Sequence, residues 1–422
     1  MSAATLFLPC AGGVEPLLAD EVAAIVPGAA LARAAGGVRV DADAPAAMRL
    51  NLESRLAQRV LWRVAEGPYR GEDDLYALAR AQRWQDWITP KQTLRVDTSA
   101  RRSPLKSLNF ASLRIKDAVC DQLREALGAR PDVDTRHPQL SLVLHLEAER
   151  ADLYVDLSGE PLFKRGWRDA AAGKGEAPLK ETLAAAMLAA AGWRGEAGDG
   201  VLLDPCCGAG TIAIEAAQLA CRIAPGLSRR FAFEQLLRFR DHLGAWREMQ
   251  AAARSRVRVA PVAIHAGDVS FRMTDFAARN AVRAGVGQAI AFKAGDALQR
   301  PAPAGAGTLM LNPPYGQRIV PKGRGSPGAT QPHTGREDAE GAADTAAFFE
   351  QLAAHWKRHY AGWTAWVLSP DPKLPAAMRL KESRRVPLWN GPIECRLFRF
   401  DLVAGSMRDR PAAADGGGTA AR

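Results

Sequence analysis

Between Val201 and Ser369 short apolar runs alternate with stretches of helical period: Val201–Pro205, Thr211–Cys221, Ala263–Asp268, Phe271–Ala284, Ile290–Asp296, Thr308–Asn312, Ala346–Tyr360 and Trp363–Ser369. Parallel strands need long crossovers, and a helix is the usual one, so this alternation commits the segment to a mostly parallel α/β sheet. In an open sheet of that kind ligands bind beyond the carboxyl ends of the strands. The residues that close the apolar runs are therefore where chemistry is to be sought.

Four runs end in polar residues. The first, VLLDPCCGAGT, closes on Asp204 and Pro205 and turns through Gly208 and Gly210 into a helix that starts at Thr211. The turn lacks the third glycine of a dinucleotide fingerprint, and a carboxylate in front of it would repel a phosphate but bind an ammonium group. That combination points to a cationic, amino-acid-bearing cofactor, and S-adenosylmethionine fits the description. The next two runs end in Asp268 and Asp296. A single Asp at a strand end is commonly a helix cap, but three in sheet order along one edge make capping alone insufficient; the second would accept from ribose hydroxyls and the third from an adenine amino group. Asp268 follows Asp204 by far more than the roughly 20 residues of a compact nucleotide-binding unit, so the arginine-rich segment 222–258 between them reads as an insertion.

The fourth run, LMLNPPYG, ends in Asn312, Pro313, Pro314 and Tyr315. Proline fixes its own φ and holds the residue before it extended, so Asn312 and Pro313 are both stiff. A tight turn would use such residues, and so would a methyl-transfer site. An exocyclic base amine is a poor nucleophile because its lone pair is delocalised. Acceptors at the Asn312 side chain and the Pro313 carbonyl would take its two hydrogens and turn the lone pair toward the methyl group. Tyr315 would stack on the base, a contact worth ~1 to 3 kcal/mol in single-stranded sites.

Residues 1 to about 160 mix β-like runs (Thr5–Pro9, Gly37–Val40, Thr93–Asp97, Leu140–Leu146, Ala151–Leu157) with helical patterns over Glu15–Ile25, Ala46–Val64 and Phe110–Leu127, an α+β arrangement in which Leu140–Leu146 and Ala151–Leu157 form a hairpin. Arg101, Arg102, Lys106, Arg114 and Lys116 fall in one stretch free of acids, which suits a solvated face or a phosphate-binding edge. A chain of 422 residues exceeds what one hydrophobic core serves, and its net charge of +10 suits a polyanionic partner. The six scattered cysteines argue against disulfides and zinc. No apolar run approaches the roughly 20 residues that span a bilayer, and the start, MSAATLFLPCAGG, lacks the form of a secretory signal, so a cytoplasmic protein without membrane or metal is expected. Residues 166–178 read as a linker, and 321–346 and the tail after Ala404 as irregular or disordered.

The NPPY turn, the DPxxGxGT loop, the segment EAPLKETLAAAML (Glu176–Leu188) and GPIECRLFRF near the end resemble class I S-adenosylmethionine-dependent methyltransferases that carry a THUMP RNA-binding domain, and among them the guanine-N2 methyltransferases of large-subunit ribosomal RNA. The resemblance runs through LNFASLRIKDAVCDQLRE, RPDVDTRHPQ and LYVDLSGEPLFKRGWR and covers nearly all of residues 1–404. It implies a Rossmann-like domain with a mostly parallel seven-stranded sheet at 179–404, preceded by a ferredoxin-like part at 1–42, a THUMP domain at 43–160 and a linker at 161–178, with a disordered tail at 405–422. It also implies that Asp204, Pro205, Gly208, Gly210 and Thr211 hold the methionine moiety, Asp268 the ribose and Asp296 the adenine, that Pro178, Leu179, Lys180 and Glu181 cover the cofactor, and that 23S ribosomal RNA or its assembly precursor is the partner. The family usually carries a second acid two residues after the ribose-binding one, where this chain has Ser270. Some relatives continue into a second methyltransferase domain, so a second, guanine-N7 activity is not implied. Methylation of another RNA, adenine-N6 methylation of nucleic acid, and an RNA-binding protein that retains the fold without catalysis are the competing readings.

Overall fold

The computed structural model describes residues 4–168, 179–313 and 335–403, the side chains of 335–345 excepted. Pro178, Pro314 and Tyr315, residues 321–334 and the tail 405–422 therefore lie outside the described residues. The amino-terminal half is built on one sheet of eight strands, β1 (Ala4–Pro9), β2 (Leu31–Ala34), β3 (Gly37–Ala42), β4 (Leu61–Pro68), β5 (Thr93–Ala100), β6 (Asp132–Val133), β7 (Leu140–Leu146) and β8 (Arg150–Asp156), in the order β2-β3-β1-β4-β8-β7-β5-β6. Helices α1 (Glu15–Ile25), α2 (Ala44–Glu53), α3 (Glu72–Arg80) and α4 (Leu108–Leu127) accompany it. The expected hairpin is present as antiparallel β7 and β8.

One expected helix does not extend as its pattern suggests. Helix α2 stops at Glu53, and Leu61–Val64 belong to β4, paired with β1 and β8. A tertiary partner meets the chain here: Glu21 of α1, half-buried and with its carboxyl pushed up by desolvation, accepts from the Ser54 hydroxyl at 2.6 Å and from the backbone N–H of Arg55 at 2.8 Å. The Ser54 N–H still bonds Leu50 O, but the Arg55 N–H is diverted from the helical path, and an apolar period that fits a helix is used in an extended strand instead.

The second sheet has seven strands, β9 (Val201–Asp204), β10 (Ile264–Ala266), β11 (Ile290–Phe292), β12 (Gly307–Leu311), β13 (Trp363–Ser369), β14 (Arg384–Asn390) and β15 (Ile393–Asp401), in the order β11-β10-β9-β12-β13-β15-β14. The five strands from β11 to β13 pair in parallel, and β15 runs antiparallel to both β13 and β14. The helices here are α5 (Glu181–Ala191), α6 (Thr211–Ala220), α7 (Leu243–Ser255), α8 (Phe271–Arg283), α9 (Gly335–His359) and α10 (Leu374–Ala377). Helix α9 starts at Gly335, so the later part of the segment expected as an irregular loop is helical. Chain order reverses between β9 and β12, the position at which such sheets open a ligand crevice.

The arginine-rich segment 222–258 is not a loose insertion. Its Phe231, Phe233, Phe239 and Trp246 are buried and pack ring against ring at 5.0 to 5.6 Å, and Phe239 meets Trp62 of β4 at 5.9 Å. Arg238 lies over the rings of both Trp62 and Trp87. Arg229 donates to the carbonyls of Ser158, Glu160, Pro161 and Lys164. Arg256 pairs with Glu53 and Arg258 with Glu196. Through Arg229, Arg238 and Arg256 the segment joins the two halves, while Arg258 is held within the second.

Candidate active site

The strand register brings the predicted site residues to one edge. Asp204 at the end of β9 stands opposite Ala266 of β10, and Ala266 opposite Phe292 of β11, so Asp268 and Asp296 follow within a few residues of the same level. On the other side Leu309 of β12 pairs with Leu203, which puts Asn312 just beyond the end of the strand next to Asp204, across the point where strand order reverses.

The turn after β9 is shaped by backbone bonds and by two glycines. The Cys207 N–H donates to Gly267 O at 2.8 Å, the Gly267 N–H to Asp204 O at 3.0 Å, and the Gly210 N–H to Cys207 O at 2.7 Å. Gly208 and Gly210 have φ of +50° and +84°, in the left-handed region that favours glycine. A Cβ on Gly210 would stand 3.0 Å from Cβ of Ala277, so the glycine lets α8 pack closely against the turn. A Cβ on Gly208 would meet nothing within 4 Å among the described residues, which leave the space above this turn open.

Asp204 is 1% exposed, and among the described residues its carboxylate accepts one hydrogen bond, from the Cys206 N–H at 3.2 Å. Burial pushes its carboxyl up to about 8, and the charge of Asp268 adds to the effect, while Arg300 opposes it. A buried carboxylate with so few donors is a seat for a cation. Asp268 accepts from the Gly208 N–H at 3.1 Å and the Ser270 N–H at 3.0 Å, which ties the turn after β10 to the glycine turn. Half-buried, it keeps acceptor capacity for a further donor. Ser270, where the family has a second acid, caps α8 by accepting from the Met273 N–H. Asp296 accepts from the Leu298 N–H at 2.9 Å and is also half-buried.

Asn312 carries the clearest chemical signal. Its Oδ1 is buried and has no hydrogen-bond partner among the described residues, and Pro313 beside it is buried too. An unpaired buried acceptor costs about 1 to 3 kcal/mol, and here it leaves an oxygen at the sheet edge able to take a donor.

Leu179 and Glu181 are buried at the start of α5, and Lys180 extends over the Phe163 ring at 5.0 Å. The Glu181 carboxylate is engaged by Arg168. Three residues that sequence reasoning passed over join the site's frame: Arg168; Asn280, whose Nδ2 donates to the Ala209 carbonyl of the glycine turn at 3.0 Å; and Arg300, which donates to Lys293 O at 3.0 Å. Arg168 closes the stretch LYVDLSGEPLFKRGWR without a role that its position there shows, and the contacts of Arg168 and Asn280 are distant in sequence.

The five cations of the amino-terminal half divide. Arg114 pairs with Asp73 at 2.6 Å and lies over Tyr76, and Lys116 pairs with Asp117 at 2.6 Å. Arg101, Arg102 and Lys106 are exposed with no acidic partner among the described residues, beside a 49% exposed Phe110. Among the described residues no cluster of His, Cys, Asp or Glu could hold a metal, and no helix is long and apolar enough to cross a membrane.

Residues 5–61 match the RlmL ferredoxin-like domain, 69–156 the THUMP domain and 165–326 the RMKL-like methyltransferase domain. Ribosomal RNA large subunit methyltransferase K/L of Pseudomonas paraeruginosa (strain DSM 24068 / PA7) is 36% identical over 408 residues, 94% of this chain and 52% of the relative. The protein of the same name from Syntrophotalea carbinolica is 36% identical over 402 residues, 93% of this chain and 52% of the relative. The chain thus spans about half the length of these curated relatives. Among solved structures, SMU.472 complexed with SAH superposes with a TM-score of 0.81 at 23% identity, covering 96% of this chain and 100% of that one. A predicted N6-adenine-specific DNA methylase from Listeria monocytogenes superposes with a TM-score of 0.80 at 26% identity, covering 95% and 96%.

Proposed function

We propose that this chain, which carries RlmL ferredoxin-like, THUMP and RMKL-like methyltransferase domains and takes S-adenosylmethionine as cofactor, methylates the exocyclic N2 of a guanine in 23S ribosomal RNA or its assembly precursor, in the cytoplasm. The observation that carries the reading is the unpartnered Oδ1 of Asn312, one strand away from the buried carboxylate of Asp204.

The residues fit the cofactor. Asp204 is a buried acceptor for its ammonium group, the open space over Gly208 admits the chain that carries it, and Asp268 and Asp296 have acceptor capacity for ribose and adenine. When bound, S-adenosylmethionine supplies an electrophilic methyl group on a sulfonium, which needs neither metal nor strong base. The chain supplies orientation: Asn312 Oδ1 and the Pro313 carbonyl accept the two hydrogens of the target amine and aim its lone pair, and the amine sheds one proton to solvent as the new bond forms. In the same reading Pro314 and Tyr315 complete the wall on which the base stacks. Acceptor choice tests the proposal. With labelled methyl donor and 23S RNA, transfer RNA and duplex DNA in competition, label enters 23S RNA; label confined to transfer RNA moves the function to that substrate, and label in DNA refutes the reading.

Cofactor binding should release a proton. Only ionised Asp204 attracts the ammonium group, and in the free protein its carboxyl titrates near about 8. At pH 7 binding then drives most of one proton into solvent, and affinity climbs by up to about tenfold per pH unit until it levels off above pH 8. Calorimetry at pH 7 in buffers of different ionisation enthalpy reads this directly; an observed heat independent of buffer contradicts it.

RNA contact at the amino-terminal edge is expected to be electrostatic. Replacing Arg101, Arg102 and Lys106 with alanine should flatten the plot of log affinity against log salt by about 2 in total, at about 0.7 per single-strand phosphate contact. S-adenosylmethionine affinity should stay unchanged. Alanine at Arg114 and Lys116 should leave the slope alone, because acids already neutralise both.

A further inference from the structure

The segment joining the two halves does more than connect them. Arg165, 3% exposed, donates to Arg55 O at 2.8 Å and to the Glu215 carboxylate of α6 at 3.1 Å, and Arg55 reaches the other oxygen of Glu215 at 3.3 Å. Three residues on, Arg168 donates to Thr211 Oγ1 at 2.9 Å and to Leu179 O at 3.0 Å, and its Nε engages the buried Glu181 carboxylate. Thr211 and Glu215 are one turn apart on the helix that follows the glycine turn, so the joining segment grips that helix twice. From behind, Trp167 O accepts from Arg283, Arg283 holds Asn280 Oδ1, and Asn280, fully buried, holds the Ala209 carbonyl.

We propose that Arg168 is a positioning residue for the cofactor pocket: its guanidinium fixes the start of α5 against the first residue of α6, and so holds the two walls between which the cofactor lies. The inference rests on the reading that residues 179–181 and the turn 204–211 share one cofactor. A planar fork is required, because three acceptors from two elements are served at once and an ammonium group on a flexible stem cannot reproduce the geometry. Arg168 touches neither methyl group nor base, and its effect is exerted through Thr211 and Glu181.

The test uses the full chain and S-adenosylmethionine. Arg168→Lys keeps a cation beside Glu181 but loses the fork, and should weaken cofactor binding about tenfold, as expected for loss of a hydrogen bond to a charged group. KM for RNA should stay unchanged. Thr211→Val leaves the Arg168–Glu181 pair intact and should weaken binding several-fold, Thr211→Ser should restore it, and the double variant Arg168→Lys with Thr211→Val should be no worse than Arg168→Lys alone because the shared bond is lost only once. If Arg168→Lys does not fold, the Thr211 pair carries the test. A lowered melting temperature with unchanged cofactor affinity, or strictly additive losses, would overturn the proposal. Wild-type protein that fails to bind S-adenosylmethionine would instead refute the cofactor reading on which it rests.

Discussion

Asn312→Ala should lower methyl transfer by about 100-fold or more while S-adenosylmethionine affinity changes less than about threefold, a pattern set by when the acceptor is used. In the free protein Oδ1 has no partner among the described residues, so removing it deprives the ground state of none of their bonds and relieves a buried unsatisfied atom. The loss falls on the aligned amine alone. The variant is therefore expected to melt at or slightly above the wild-type temperature and to lose kcat rather than cofactor binding. A variant with near-normal turnover, or one whose loss lies wholly in cofactor KM, would place Asn312 outside the reacting geometry.

Asp204→Asn should separate stability from binding in the opposite way. Removing one partner of a buried ion pair costs about 3 to 5 kcal/mol, so cofactor affinity should fall by two orders of magnitude or more. Stability of the ligand-free protein should move with pH. The folded-state carboxyl titrates near about 8, against an ordinary value of 3.8, so between those limits the native state holds a proton that the unfolded chain has given up. Raising the pH through that window therefore costs the wild type stability. The Asp204→Asn variant escapes this cost and should be the more stable of the two at pH 9, with the gap closing toward pH 4. Chemical denaturation at both pH values checks the sign; a variant less stable at pH 9 would mean that Asp204 is ionised and well paired without cofactor.

The acids and the amide of the site were legible because each closes a local apolar run, and a parallel sheet carries all such ends to one edge. Asp204, Asp268, Asp296 and Asn312 needed only the alternation of elements to be placed together. What stayed hidden depends on partners far along the chain. Past the end of α2 the chain meets Glu21, and no local pattern at 44–64 shows it. The cations of 222–258 look like a nucleic-acid surface by composition, yet Arg229 and Arg238 are spent on carbonyls and indole rings. Arg114 and Lys116 are indistinguishable by sequence from Arg101 and Lys106, and only the structure shows the acids beside them. Arg168 ends a stretch that resembles the family, yet its role is hidden there because it lies in contacts with two helices further along the chain.

Transfer of labelled methyl from S-adenosylmethionine to unmodified 23S RNA, with the RNA then digested and its nucleosides separated, tests the central claim most directly. The account predicts that the label runs as N2-methylguanosine and disappears with Asn312→Ala; label in N6-methyladenosine, or none with active cofactor binding, would contradict it.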